Sequence, residues 1–477
     1  MTVLAIDQGT SGTKAIVVDP DAGVCGLAEV PVHPRYLDGG GVEQDPGELL
    51  ESVLAAGRAA VASAGRPIDV VSLANQGETV LAWDPDSGRP LTPAIVWQDR
   101  RAEPLCAELA QHAELFAAET GLVLDPYFSA PKMAWLRRNV ESAGVVTTSD
   151  TWLLHQLTGT FVTDATTASR SLVVSLGAQQ WNRELLALFG LDDERMPDIV
   201  ANDVVIGSTS AFGGDVPVGG IVVDQQAALL AEACFDAGMA KCTFGTGAFL
   251  LANTGTAAVR SRSGLTSSVA WRVAGEDTFC VDGQVYTAAS AVRWLSSLGI
   301  VTGAEELDAV AAADANGVMC VPALAGLAAP WWQSGATATI SGMTLSTGRG
   351  HVVRALLEGI AAQVGELATA IESDTASTRL NRLRVDGGLT QSKVLMQSVA
   401  DILQVPVDVY PSAHATALGA AALADLSLHP DKGLRDVVPP WTPASTYEPA
   451  WSAERAAEFR SAWRTLADTT YPAKETS

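Results

Sequence analysis

The sequence predicts an α/β protein built as two lobes facing each other across a cleft, and three observations predict it. The first is an apolar run, Val3-Leu4-Ala5-Ile6, ending at Asp7 and followed by Gln8-Gly9-Thr10-Ser11-Gly12-Thr13 and a second run, Ala15-Ile16-Val17-Val18-Asp19. Strand, Gly/Thr turn and returning strand are the natural assignment. The second is a recurrence of that plan about half the chain later. Gly238-Met239-Ala240-Lys241 leads into Cys242-Thr243-Phe244, the turn Gly245-Thr246-Gly247, and Ala248-Phe249-Leu250-Leu251. Two such hairpins point to an internal duplication. The third is helical spacing between them.

The elements follow in order. Asp45-Pro46-Gly47-Glu48 opens a capped helix with Leu49, Leu50, Val53 and Leu54 at helix spacing. Val216-Pro217-Val218-Gly219-Gly220 reads as a turn, Ile221-Val222-Val223 as a buried strand, and Asp224 onward as a helix start. Residues 351–372 carry Val352, Leu356, Ile360 and Val364 along one helical face, and the tail predicts a helix over residues 452–467.

The 477 residues fit two or three domains, and 48% hydrophobic against 18% charged residues is ample for folded cores. Thirty Lys and Arg against 54 Asp and Glu give a formal charge of −24. That balance argues against a nucleic-acid partner or an anionic membrane surface, both of which need clustered cations. It leaves room for an anionic nucleotide held by backbone N–H groups and magnesium. The first residues do not read as a leader peptide, so none is expected, and no apolar run nears the ~20 residues that span a bilayer. Six cysteines without CxxC spacing, unpaired with the six histidines, read as buried thiols in a reducing compartment, so the expected location is cytoplasmic.

Four segments offer chemistry. In Asp7-Gln8-Gly9-Thr10-Ser11-Gly12-Thr13, glycines admit phosphates to the backbone, hydroxyls donate to them, and Asp7 can hold magnesium. The same residues also suit an ordinary hairpin turn, and the GxxxxGK[ST] signature of a P-loop is absent. Asp224, delivered by a buried strand, suits a base that takes the proton of an attacking hydroxyl, but equally a helix cap. Val385-Asp386-Gly387-Gly388-Leu389 suits either bare backbone beneath a nucleoside or a tight strand–helix connection. The set Asn75-Gln76-Gly77-Glu78, Trp97-Gln98-Asp99-Arg100-Arg101 and Asp125-Pro126-Tyr127-Phe128 combines amides, carboxylates and aromatic faces, which polyol recognition requires. Each piece alone also has a plain structural reading.

Taken together and in this order, the motifs resemble those of the FGGY carbohydrate kinases, and most closely the family's glycerol kinase branch. The resemblance runs from Asp7-Gln8-Gly9-Thr10 through Asp224-Gln225-Gln226-Ala227-Ala228 and Phe244-Gly245-Thr246-Gly247 to Thr416-Ala417-Leu418-Gly419-Ala420-Ala421. It implies two actin-like (ribonuclease-H-like) lobes, residues 1–234 for substrate and phosphates and residues 235–477 for the nucleotide. The implied reaction is ATP-dependent phosphorylation of a hydroxyl on a small polyol or sugar, with Asp224 as general base. Asp7 would serve Mg2+, and Thr10, Ser11, Gly12 and Lys14 the phosphates. Gly245 and Thr246 would face them, with Ala289, Arg293, Gly388 and Ser392 along the nucleotide. Glu78, Gly77, Trp97, Tyr127, Gln225 and Phe249 would hold the acceptor. Homodimers are common in the family, so a homodimer is an expectation of the resemblance.

The departures are informative. The glycerol branch places Arg where this chain has Gly77, so the resemblance predicts the loss of a forked cationic donor and space for an acceptor longer than glycerol. Ser392, Arg293 and His414 stand where the family has Asn, Gln and Glu. Gly207–Gly220 contains no Lys or Arg, so inhibition by fructose bisphosphate is not expected. Two alternatives are a pentulose or other ketose kinase and a non-catalytic nucleotide-binding regulatory protein of the same fold.

Overall fold

A computed structural model describes residues 1–375 and 380–471. Two mixed sheets organise the chain, and they share one topology. In the N-terminal sheet, strands Val3–Gln8, Gly12–Asp19 and Gly23–Pro31 form an antiparallel meander. Val70–Asn75 and then Val216–Val223 add in parallel beside Val3–Gln8, with Val205–Thr209 antiparallel at the edge. In the second sheet the meander is Ala240–Phe244, Ala248–Gly255 and Glu276–Val285. Leu383–Asp386 and Val407–Val409 add in parallel beside Ala240–Phe244, and Thr266–Val273 and Ser445–Tyr447 occupy the edges. The duplication expected from the two hairpins is therefore present in the strand order.

Each sheet buries its apolar residues beneath helices. Leu4, Ile6, Val17 and Leu73 pack against Leu49, Val53, Ala56 and Ala60 of helix Pro46–Ala64. The Asp45 carboxylate caps that helix by accepting from Gly47 N at 2.7 Å, as the sequence predicts. In the second lobe Cys242, Leu250 and Val385 share a core with Leu357, Ile360 and Val364 of helix Arg349–Asp374. Each such fully buried branched side chain contributes roughly 1.5–3 kcal/mol. The tail helix spans Ala453–Ala467. Five cysteines are buried, Cys25 is half-buried, and all six are free thiols. Among the described residues no helix is long and apolar enough to cross a membrane.

One element crosses the boundary between the lobes. Helix Ala415–Leu428, from the C-terminal half, lies on the N-terminal sheet, packing Ala417, Ala421 and Ala424 against Val3, Ala5 and Val70. Its alanine and glycine content permits this approach. A Cβ at Gly419 would stand 1.9 Å from the Ala227 carbonyl oxygen. Gly220, with φ +75°, would place its Cβ 2.4 Å from Ala424 N. Only glycine meets both demands.

Candidate active site

In open α/β sheets, ligands gather beyond the carboxyl ends of the parallel strands. Three such ends meet here. Val3–Gln8 delivers Asp7, Val70–Asn75 leads to Gln76-Gly77-Glu78, and Val216–Val223 delivers Asp224 and Gln225. The register fixes this alignment, since Asp7 pairs with Ala74 and Ala74 with Val222. Across the cleft the hairpin turn Gly245-Thr246-Gly247 and the turn after Asp386 face them.

Between the lobes lies a cavity of about 210 Å³. Of the eighteen residues that the resemblance assigns to the site, twelve line it: Thr10, Ser11, Gly77, Glu78, Trp97, Tyr127, Asp224, Gln225, Gly245, Thr246, Phe249 and Arg293. The other six do not line it. Asp7 lies just behind, close enough to Asp224 for their charges to interact, and Lys14 is its cross-strand partner. Gly12 closes the first hairpin turn by accepting from Gly9 N at 3.0 Å. Ala289 begins helix Ala289–Ser297, and its N–H donates to the Gly245 carbonyl at 3.0 Å. Gly388 opens the 3-10 turn Gly388–Gln391. Ser392 is the N-cap of helix Lys393–Leu403, and its hydroxyl donates to Asp308 Oδ1 at 2.7 Å.

Aromatic rings form one wall. Trp97 meets Tyr127 edge-on at 5.7 Å between centroids and Phe249 at 5.9 Å. Its indole N–H donates to the Thr10 hydroxyl at 2.9 Å, and that hydroxyl donates to Gln76 Oε1 at 3.0 Å, so the ring plane is fixed. The buried Lys132 ammonium donates to the carbonyls of Pro126, Tyr127 and Phe128, and Asp125 accepts from Tyr127 N at 2.8 Å. Arg100 holds Asp125 in turn at 3.0 Å. Arg101 pairs with Asp99 and Glu43. This arginine pair therefore positions loops of the cavity wall.

Carboxylates form the other wall. Asp224 is the first residue of helix Asp224–Ala231, and its Oδ1 accepts from Gln225 N at 2.6 Å. Burial pushes its pKa up, partly offset by the Lys241 ammonium. Lys241, fully buried, donates to Gln225 Oε1 at 2.6 Å and Thr243 Oγ1 at 2.7 Å. Burial and the charge of Asp224 push Asp7 up to about 7. Glu78 has a φ of +60°, at the centre of a tight turn closed by Thr79 N donating to the Gly77 carbonyl at 2.8 Å. Left-handed backbone at a non-glycine residue costs of order 1–3 kcal/mol and recurs at functional sites.

A second arginine stands near Gly77: the Cδ of Arg170 would lie 3.9 Å from a Cβ built on that glycine. Arg170 Nε donates to Glu78 Oε1, and Nη1 donates to Asp282 Oδ1 at 3.0 Å. Its guanidinium also lies 5.7 Å from the Tyr127 ring centroid. Ser268 links it to the base helix, accepting from Gln226 Nε2 at 3.2 Å and from Arg170 Nη1 at 3.5 Å. Sequence reading missed both Arg170 and Asp282. A lone Arg after Asp164-Ala165-Thr166-Thr167-Ala168-Ser169, all small or polar residues, was the available signal.

Two family models match the chain. The N-terminal domain of the FGGY family of carbohydrate kinases matches residues 2–231, and its C-terminal domain residues 240–428. A glycerol kinase of Aromatoleum aromaticum is 40% identical, the alignment covering 97% of each chain. One from Bordetella parapertussis is 41% identical over 97% of this chain and 96% of its own. Among solved structures, a Plasmodium falciparum glycerol kinase with ADP superposes with a TM-score of 0.90 at 31% identity, covering 99% of this chain and 98% of that one. A xylulose kinase from Rhodospirillum rubrum superposes at 0.85 and 26% identity, covering 98% and 99%. The chain belongs to the FGGY family of carbohydrate kinases and is an ATP-dependent kinase acting on an alcohol group.

Proposed function

We propose that the chain transfers the γ-phosphoryl group of ATP to a hydroxyl of a small polyol, with Asp224 as general base. The observation that carries this reading is one cavity holding a carboxylate at a helix start, an aromatic wall and two Gly/Thr turns. The acceptor's carbons lie on Trp97 between Tyr127 and Phe249, and its hydroxyls meet Glu78, Arg170 and Gln225. Asp224 takes the proton as the hydroxyl oxygen bonds to the γ-phosphorus. The bond from that phosphorus to the bridging oxygen breaks, and ADP leaves with the electron pair. Asp224 needs no unusual basicity, since positioning and charge stabilisation dominate phosphoryl transfer.

The phosphates run between Thr10-Ser11-Gly12 with Lys14 and Gly245-Thr246. The nucleoside follows Ala289, Arg293, Gly388 and Ser392. Asp7 suits a magnesium ion, because its carboxylate has no side-chain hydrogen-bond donor among the described residues and faces the like charge of Asp224. Mg2+ there would neutralise phosphate charge. We take residues 1–234 and 235–477 as the two moving lobes, whose closure excludes water.

The test is a coupled ADP-release assay over glycerol, erythritol, ribitol, arabinitol, xylulose and ribulose, with Asp224→Asn beside the wild type. Turnover of a polyol that vanishes in the variant, with nucleotide binding retained, supports the reading. Turnover confined to the ketoses would replace it with a ketose kinase. Nucleotide binding without any acceptor-dependent ADP release would leave a regulatory protein.

A further inference from the structure

The strand Glu276–Val285 runs past the acceptor cavity, and successive side chains on one face of a strand are two residues apart. Asp282 lines the cavity, opposite Leu251 in the register, and Leu251 lines it too. Gln284 is the next residue on that face, opposite the cavity residue Phe249, and lies just behind the cavity wall rather than in it. Gln284 is only 1% exposed, yet both Oε1 and Nε2 lack any hydrogen-bond partner among the described residues. A carboxamide buried with donor and acceptor both unmet is costly, and native chains seldom retain one without a use. The neighbouring Asp282 is already engaged by Arg170.

Resting on the polyol-kinase reading above, we propose that Gln284, beside the Asp282–Arg170 pair, is a specificity-determining residue for the far end of the acceptor. It selects polyols of four or five carbons over glycerol. A hydroxyl both donates and accepts, so one distal hydroxyl, or two adjacent ones, satisfies the carboxamide. The terminal hydroxyl of a three-carbon acceptor held at Asp224 is used at Glu78 and Arg170 and leaves Gln284 unmet. The small Gly77, where the nearest atom to a built Cβ is Val223 Cγ1 at 3.6 Å, leaves the longer carbon chain room.

The experiment compares wild type and Gln284→Leu by kcat/KM on glycerol, erythritol, ribitol and arabinitol with Mg-ATP, and by thermal melting without ligand. Leucine keeps the volume and removes the unmet amide. Expected are a wild-type preference of about 10-fold or more for the longer acceptors, and its loss in the variant with glycerol turnover within about twofold. The unliganded variant should melt at least as high as wild type, a result that a merely structural glutamine would not give. Glycerol as best wild-type acceptor, or an equal change on all acceptors, overturns the proposal while leaving the kinase reading intact. If the leucine variant melts lower, Gln284→Asn, which keeps the amide but shortens its reach, must still lose longer acceptors selectively; failure to do so also overturns it. No acceptor turnover in wild type, with ATP bound, overturns the kinase reading and this proposal together.

Discussion

The two lobes share a strand order but treat buried charge in opposite ways. In the N-terminal lobe, Asp7 and Asp224 face each other at adjacent strand ends, and the nearest basic partner of Asp7 is Lys14 across the hairpin. In the C-terminal lobe, Asp386 at the equivalent sheet edge is opposed by Lys241, a buried ammonium that also ties Gln225 to Thr243. The acids of the first lobe lean on a cation across the hairpin or across the cleft, and the second lobe carries its cation on its own sheet. A shared topology thus yields a half suited to a metal and a base, and a half whose turns, in the reading proposed above, face the nucleotide.

Asp224→Asn tests the comparison most severely. Loss of the base should lower kcat by roughly 10²–10⁴, with nucleotide affinity unchanged by isothermal titration. An unchanged kcat would remove the N-terminal carboxylates from the chemistry.

Next in size is a pair of opposite effects on stability. Lys241→Met removes the cation that Glu232 and Asp386 feel, and should destabilise by about 3 kcal/mol in urea unfolding. Asp7→Asn relieves like-charge repulsion and should leave the ligand-free protein as stable or more so, while lowering turnover. Equal destabilisation by both would abolish the contrast.

Gly419→Ala probes the helix that joins the lobes. Its methyl would collide with the Ala227 carbonyl, so a loss of about 2–3 kcal/mol is expected, read by denaturant titration.

The smallest effect lies in a second N-terminal acid pair. Burial and the neighbouring Asp164 raise Asp150 to about 6 from the usual 3.8. The folded state therefore holds this proton more tightly, so stability is greatest below about 4 and falls as pH rises through 6. Asp150→Asn keeps the acceptor for Thr163 and should remove that fall, gaining on the order of 2 kcal/mol at neutral pH. A melting curve whose pH dependence between 4 and 6 is unchanged by the substitution would refute it.

Local patterns were legible because local physics writes them. The hairpins came from apolar runs broken by Gly/Thr turns, and the Asp45 cap from its place before Pro46. Most of the cavity wall was named by the resemblance to the FGGY kinases rather than by local pattern. Arg170 was not legible, because Glu78 and Asp282 lie 92 and 112 residues away in sequence. Gln284 was not legible either, for its role depends on having no partner, which only the folded neighbourhood reveals.

By itself, the sequence determined two α/β lobes and the strand-end carboxylates Asp7 and Asp224, which depend on periodicity and turn chemistry within short windows. The aromatic wall followed from its resemblance to the FGGY kinases. The tertiary structure alone decided that an arginine from a distant loop stands beside Gly77, that Lys241 of the second half reaches acids of both, and that a helix of the second half covers the first sheet. Those outcomes depend on which surfaces meet, and burial sets the energy of a charge only after they have met.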